Sequence, residues 1–416
     1  MKYQKEMVQI HRMAVPILMN YALASVFEMF DEAIVGHYSV EGFALVGVAA
    51  SILYTITGAL GILSSAFHIL AAELSGRQEY GKLEQTFAAA KLLAAGIGGG
   101  FVLVSLFGGR WFFGNIYTVS RRGLEELLSY FYPASITVLQ NMIWFQYAVY
   151  FRNRYNTKIS VYATGVSIIV NLFFDVVLVY GKAGFPRMGV AGAAWGSVIG
   201  LGCGLLVYQI PYYRVRCART GNIQEPIKRI LWSYPALFGQ ELFESTIFVL
   251  IVQGAAVHLG TEQLAVYKLV DIVYGIIGLL VVAYASAAQT CALQSRVAGN
   301  RKETKIYLRV GQCAAFAVTG SLCLLCGVFQ EELLGSVVTD RGVTEMAVPF
   351  LYLVFVLTMI RIPYQVFLTY LQGSGWEQKV FLYTAVGTLL AGGAVLGASR
   401  RWGLTGIYSV MIGETA

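Results

Sequence analysis

Apolar runs long enough to cross a bilayer recur along almost the whole of this chain. They fall near residues 13–35, 43–72, 86–107, 128–150, 160–181, 189–211, 234–258, 264–290, 308–330, 346–371 and 379–398, with a shorter one from 403 to the end. A spanning helix needs about 20 mostly apolar residues. In hydrocarbon every backbone polar group must be satisfied internally, which leaves helices or closed barrels. None of these runs alternates with the two-residue period of a barrel strand. The expectation is an all-α membrane protein of twelve transmembrane helices, the last apparently truncated because Gly403–Ala416 is too short to cross. Composition agrees: 57% of the 416 residues are hydrophobic and only 13% charged, against about 25% charged in soluble chains.

Basic residues orient the spans. With the amino terminus in the cytoplasm, 20 Lys and Arg fall in inside segments and 8 in outside loops, while Lys268 and Arg361 fall within spans. The expected location is the plasma membrane. The net charge of +7 carries no nucleic-acid-binding motif. The six cysteines (Cys203, Cys217, Cys291, Cys313, Cys323 and Cys326) read as small packing residues, because no histidine or second cysteine pair accompanies Cys323 and Cys326. His68 and His258 read as packing or interfacial residues, and Gly98–Gly100 as a close helix contact.

The chain also repeats itself. Pro16 in AVPILMN precedes Pro235 in SYPALFG by 219 positions. Gly76 precedes Gly299 by 223, Tyr150 precedes Tyr370 by 220, and Gly189 with Gly192 precede Gly403 with Gly406 by 214. Six crossings per copy make both halves enter from the same side, the parallel-repeat plan of some transporters. The expected organisation is an amino-terminal six-helix lobe at 1–211, a cytoplasmic linker at 212–230 and a carboxy-terminal lobe at 231–416. Such a plan suits alternating access, and no filter-like loop suggests a channel.

Ionisable residues inside a bilayer are costly and mark function. Here they are Glu28 and Asp31 in span 1, Asp175 in span 5, Glu241 and Glu244 in span 7, Lys268 and Asp271 in span 8, and Arg361 in span 10. Glu28 and Asp31 share a helix face, as do Asn171 and Asp175. Lys268 and Asp271, three apart, read as a self-neutralising bridge. Aligned through Tyr150 and Tyr370, Asn171 and Asp175 fall on Ala391 and Val395, so only the first half keeps these polar groups. Carboxylates in a poorly solvated cavity can hold a proton near neutral pH or supply oxygen ligands to sodium. A plain helix–helix hydrogen bond is the competing role for Asp175. No nucleophile–base constellation, metal-ligand set or phosphate loop points to an enzyme, and no cofactor is expected.

The stretches AVPILMN and FEMFDEAIVGHYS in span 1, VNLFFDVVLVYGKAGFPRMGVAGAAWGS across spans 5 and 6, YPALFGQELFESTIFVLI in span 7 and the loop VAGNRKETK resemble the multidrug and toxic compound extrusion (MATE) family. The resemblance implies a twelve-helix antiporter that exports organic, often cationic and amphipathic, compounds in exchange for protons or sodium. It implies coupling roles for Asp31, for Asn171 and Asp175 as the span 5 pair, and for Ser197 where many members carry Thr. Sodium, if used, falls to Asp31, Asn171 and Asp175. Glu244, with Glu28, is expected to handle substrate, and the protein to act as a monomer in the lipid bilayer. Arg361 departs from members that are acidic in span 10. The alternative is a lipid-linked oligosaccharide flippase of a related two-bundle superfamily, which calls for a cationic cleft.

Overall fold

The computed structural model describes residues 3–38, 40–115, 121–216, 218, 221–337 and 341–415; the side chains of residues 25–33, 35–45, 121, 122, 261 and 337 lie outside that description. All regular structure among the described residues is helical: α1 (Gln4–Tyr38), α2 (Val40–Gly61), α3 (Leu63–Gly76), α4 (Tyr80–Asn115), α5 (Arg121–Asn153), α6 (Lys158–Tyr180), α7 (Val190–Val215), α8 (Gln224–Glu241), α9 (Phe248–Val257), α10 (Thr261–Val297), α11 (Arg301–Val328), α12 (Gln330–Val337), α13 (Arg341–Leu371) and α14 (Glu377–Thr415). Two interruptions lie in this series: a π-helical segment, Leu242–Ile247, between α8 and α9, and the stretch Gln372–Trp376 between α13 and α14, where Gly375 (φ 84°, ψ 19°) breaks the helix.

The helices follow from the apolar runs, since a segment that bonds its own backbone can sit in lipid. Eight stretches of the described chain are long and apolar enough to cross a membrane; the last, Arg341–Thr415, has 75 residues and a mean hydropathy of 2.0. At 1.5 Å per residue it far exceeds one bilayer, so it crosses more than once. The helix breaks within it at Gly375 and again at Gly403, whose φ of 59° and ψ of −141° are not helical. Aromatic and aliphatic side chains such as Phe107 (85% exposed) and Leu324 (74%) point away from the protein core, an arrangement suited to lipid contact. Local signals set helix ends. Asn300 Oδ1 accepts from the Glu303 backbone N–H at 3.1 Å and its Nδ2 donates to Glu303 Oε2 at 2.8 Å, a reciprocal cap that starts α11. Gly181, at φ 70°, closes α6 in the left-handed conformation.

Contacts group the chain into two compact units, Met1–Leu18 with Pro235–Ala416, and Met19–Tyr234. The start of α1 thus belongs with the carboxy-terminal half, a division the expected 1–211 and 231–416 lobes did not contain. Packing is the reason: Ile10, Met13 and Ala14 are fully buried in a cluster with Tyr284, Ala288, Cys291 and Ala315. His11 Nδ1 lies 2.8 Å from Tyr284 Oη, and Tyr307 donates to Gln9 Oε1 at 2.6 Å. In the other unit, α2, α5 and α7 share a core that includes Leu53, Leu127, Phe131 and Ala193. The start of α8 is tied to that same unit, where Glu73 accepts from Arg77 at 2.9 Å and from Arg229, within α8, at 2.8 Å.

Candidate functional site: interior carboxylates in each unit

Helix α7 presents Gly192, Gly196, Gly200 and Gly204 at every fourth position, hence on one face. A Cβ at 192 would lie 2.6 Å from the Leu178 carbonyl carbon, one at 200 would lie 2.7 Å from Ser167 O, and one at 204 would lie 2.9 Å from Ala163 O. Helices α6 and α7 therefore meet backbone to backbone, as small residues permit in membranes. At the second of these glycines the gap is filled differently. A Cβ on Gly196 would overlap Asp175 Oδ1, so the carboxylate occupies the space of the missing side chain.

Asp175 is 0% and Asn171 1% exposed. Asn171 Nδ2 donates to Asp175 Oδ1 at 3.3 Å and to Ser197 Oγ at 3.1 Å. The Asn171 Oδ1 is buried with no hydrogen-bond partner among the described residues. Three expected site residues are thereby brought together, two by helical spacing and Ser197 by the close α6–α7 contact. The result is a cluster of hard oxygen atoms of one carboxylate, one carboxamide and one hydroxyl. Such a set can hold a proton, and its oxygens are the ligand type that hard cations take.

The side chains of Asp31 and Glu28 lie outside the described residues, yet the course of α1 is fixed at two points. Thr164 donates to Asn20 Oδ1, and Tyr180 donates to Ile34 O at 3.1 Å. Fourteen residue steps of α1 thus run beside sixteen of α6 in the same direction. Residue 31, eleven beyond Asn20, comes level with residues 175–177 of α6.

Glu244 lies in the other unit, on the π-helical segment Leu242–Ile247. Tyr364 donates to its Oε1 at 2.8 Å and Gln240 Nε2 to its Oε2 at 3.2 Å, while Gln372 Nε2 donates to Gln240 Oε1 at 2.7 Å. Gln240 therefore links the π-helical turn at Leu242–Ile247 to the break around Gly375; π-bulges like the first recur at functional sites. Glu244 borders a cavity of about 190 Å³ together with Asp271, Arg361 and Glu414. Arg361 donates to the Tyr274 hydroxyl.

The expected Lys268–Asp271 bridge does not form: no ion pair within 4.0 Å joins them. Lys268 is exposed, with its Nζ 5.8 Å from the Tyr267 ring centre, whereas Asp271 turns to the cavity. Three residues apart the two share a helix face, but the long Lys268 stem carries its ammonium out to the exposed side. Of Gly98–Gly100, Gly98 alone meets a neighbour, its Cβ position 2.7 Å from Leu139 Cα. His68 is 3% exposed and His258 ends α9 at the surface.

Glu84 carries no signal in the sequence, yet it is 0% exposed inside α4. Tyr150 and Tyr212 both donate to its carboxylate, the latter at 3.1 Å. Two turns further, Lys91 Nζ lies 4.4, 5.1 and 4.8 Å from the ring centres of Phe87, Tyr147 and Tyr212. Both charges precede the hydropathic centre of their span and look like loop residues. Helix α4 begins at Tyr80, and that early start encloses them. Gly196, Gln240, Tyr364 and Glu414 were likewise unmarked, being ordinary until packing brings them to a carboxylate or cavity.

A helical, multi-pass membrane protein with an internal repeat, a fully buried acid in one unit and acids lining a cavity in the other has the attributes of a membrane transporter. The MatE family model matches residues 16–177 and again 235–394, the two matches opening on the repeated prolines Pro16 and Pro235. The chain belongs to the MatE family. It is 24% identical over 278 residues to "Probable multidrug resistance protein NorM" of Thermotoga maritima, covering 62% of this chain and 57% of that protein. It is 26% identical over 215 residues to "Probable multidrug resistance protein YoeA" of Bacillus subtilis, covering 49% and 46%. The chain thus spans about half the length of these two curated relatives. A NorM of Geobacillus kaustophilus is 22% identical, with 82% of this chain and 76% of the relative covered. Among solved structures, the Vibrio cholerae MATE transporter VcmN, as a mutant, superposes with a TM-score of 0.88 at 14% identity, covering 99% of this chain and 94% of its own. A MOP superfamily transporter from Pyrococcus furiosus gives 0.84 at 15%, covering 99% and 92%. At such identities the likeness is one of fold.

Proposed function

We propose that this protein is a secondary antiporter that exports organic, cationic or amphipathic compounds across the plasma membrane in exchange for protons or sodium, by alternating access, with its amino terminus in the cytoplasm. It works as a monomer. The observation that carries the reading is the fully buried Asp175, seated in the gap left by Gly196 and linked through Asn171 to Ser197. A carboxylate is kept in a membrane interior at a cost of a few kcal/mol on insertion scales, and a proton or sodium ion arriving there removes that cost. Asp31, level with this cluster along α1, completes the coupling group of Asp31, Asn171, Asp175 and Ser197. Loading and unloading of the cation shifts the packing of α1, α6 and α7, and substrate passes in the opposite sense. Glu28 and Glu244 receive the substrate.

Membership of a family whose curated relatives carry multidrug resistance names supports this reading. Purified protein in liposomes, loaded with a fluorescent organic cation, tests it. An imposed pH or sodium gradient is expected to drive dye movement in the wild type, and Asp31→Asn or Asp175→Asn to abolish the response to either gradient. Full gradient-driven transport by Asp31→Asn would overturn it.

A further inference from the structure

The cavity beside Glu244 is lined by four ionisable side chains of both signs, and they are kept apart. Arg361 contributes one guanidinium; Glu244, Asp271 and Glu414 contribute three carboxyl groups. Among the described residues no ion pair within 4.0 Å joins Arg361 to any of them. Neutral partners hold them instead: the Tyr274 hydroxyl for Arg361, and Tyr364 with Gln240 for Glu244. Opposite charges in a poorly solvated space attract strongly, and a cavity with no other occupant would gain by closing them together. Keeping both signs open to the same space of about 190 Å³ leaves a place between them for a molecule that carries both. A second cavity of about 370 Å³ shares Tyr364 and Glu414 and is walled by Leu390, Ala391 and Val410, giving room for an apolar body.

We propose that this cavity selects zwitterions: an anionic group, such as a carboxylate, docks on Arg361, while an ammonium group lies against the Glu244, Asp271 and Glu414 carboxylates. Arg361 is then the residue that separates zwitterions from simple organic cations, because its planar fork pairs a carboxylate in two-point fashion and repels a cation placed alone. The inference rests on the reading of this protein as an exporter of organic compounds, and narrows it.

The test uses three probes on one aromatic ring: 4-(aminomethyl)benzoate as zwitterion, benzylamine as cation and benzoate as anion. Binding to the full chain in lipid nanodiscs is measured by calorimetry with no gradient present. The zwitterion is expected to bind at least about tenfold more tightly than either singly charged probe, the scale of one charge-assisted hydrogen-bonded pair. Arg361→Gln is expected to erase that preference while benzylamine binds as well as before or better. Arg361→Lys is expected to restore part of it. Equal binding of zwitterion and cation by the wild type, equal weakening of both by Arg361→Gln, or binding of none of the three overturns the proposal. The wild-type ranking needs no variant, so a misfolded substitution leaves the test intact. Because binding is read without a gradient, loss of gradient-driven dye export counts against the antiporter reading alone.

Discussion

Gly189 and Gly403 hold the same backbone conformation, φ 60° and ψ −137° at the head of α7, φ 59° and ψ −141° at the break within α14. Three residues on, Gly192 and Gly406 again match. A Cβ on the first would lie 2.6 Å from the Leu178 carbonyl carbon, and on the second 2.7 Å from the Ala398 carbonyl carbon. The repeat seen in the sequence is thus a repeat of one turn geometry, in which the chain reverses and the next helix packs against the backbone it has just left. One turn further the halves part. The Asp175–Gly196 contact of the first half corresponds to Val395 and Val410 in the second, both in one apolar cluster.

A side chain at such a turn strains the backbone by about 1–3 kcal/mol. Gly403→Ala and Gly189→Ala are expected to lose stability on that scale in detergent-solubilised thermal unfolding. Gly413→Ala, where a Cβ meets nothing within 4 Å, is expected to be neutral or slightly stabilising. Equal losses at all three positions would contradict the shared-turn account.

Gly196→Ala is expected to behave like a damaged Asp175. The added methyl claims the space of Asp175 Oδ1, and relief of such overpacking costs about 1–3 kcal/mol. Gradient-driven dye transport should fall with it. Gly202→Ala, whose Cβ position is 3.4 Å from Gln140 Nε2, is the control on the same helix and should retain transport.

Asp175→Asn is expected to leave thermal stability unchanged or raised, since a buried charge often costs stability relative to a neutral group of its shape, while coupling to the ion gradient is lost. Val395→Asp places an acid at the corresponding apolar position, 0% exposed, and is expected to destabilise by roughly 3 kcal/mol or more without adding transport. Unfolding curves and dye flux on the same preparations separate the two effects.

Glu84 serves structure in this account. Glu84→Leu strands the buried hydroxyls of Tyr150 and Tyr212, at about 1–3 kcal/mol for each unsatisfied group. Adding Tyr150→Phe and Tyr212→Phe is expected to recover a good part of that loss. A thermodynamic cycle over these variants measures the coupling; strictly additive effects would refute it.

Fold class and internal repeat were legible in the order of the residues alone. Hydropathy is a sum over neighbouring residues, and the need to satisfy the backbone in lipid turns that sum directly into helices. Helical spacing is equally local, so Asn171 and Asp175 could be placed on one face from their numbers alone, and the glycine and proline anchors survived as turn geometry. Tertiary structure decided which faces meet. It brought Ser197 to Asn171 across 26 residues, set Gly196 under Asp175, seated Ile10 and Met13 in the carboxy-terminal unit, parted Lys268 from Asp271, and enclosed Glu84 and Lys91 within α4. Those outcomes depend on close packing between helices remote in the chain, where one absent methyl group decides whether a carboxylate fits, and no local sum over the sequence carries that information.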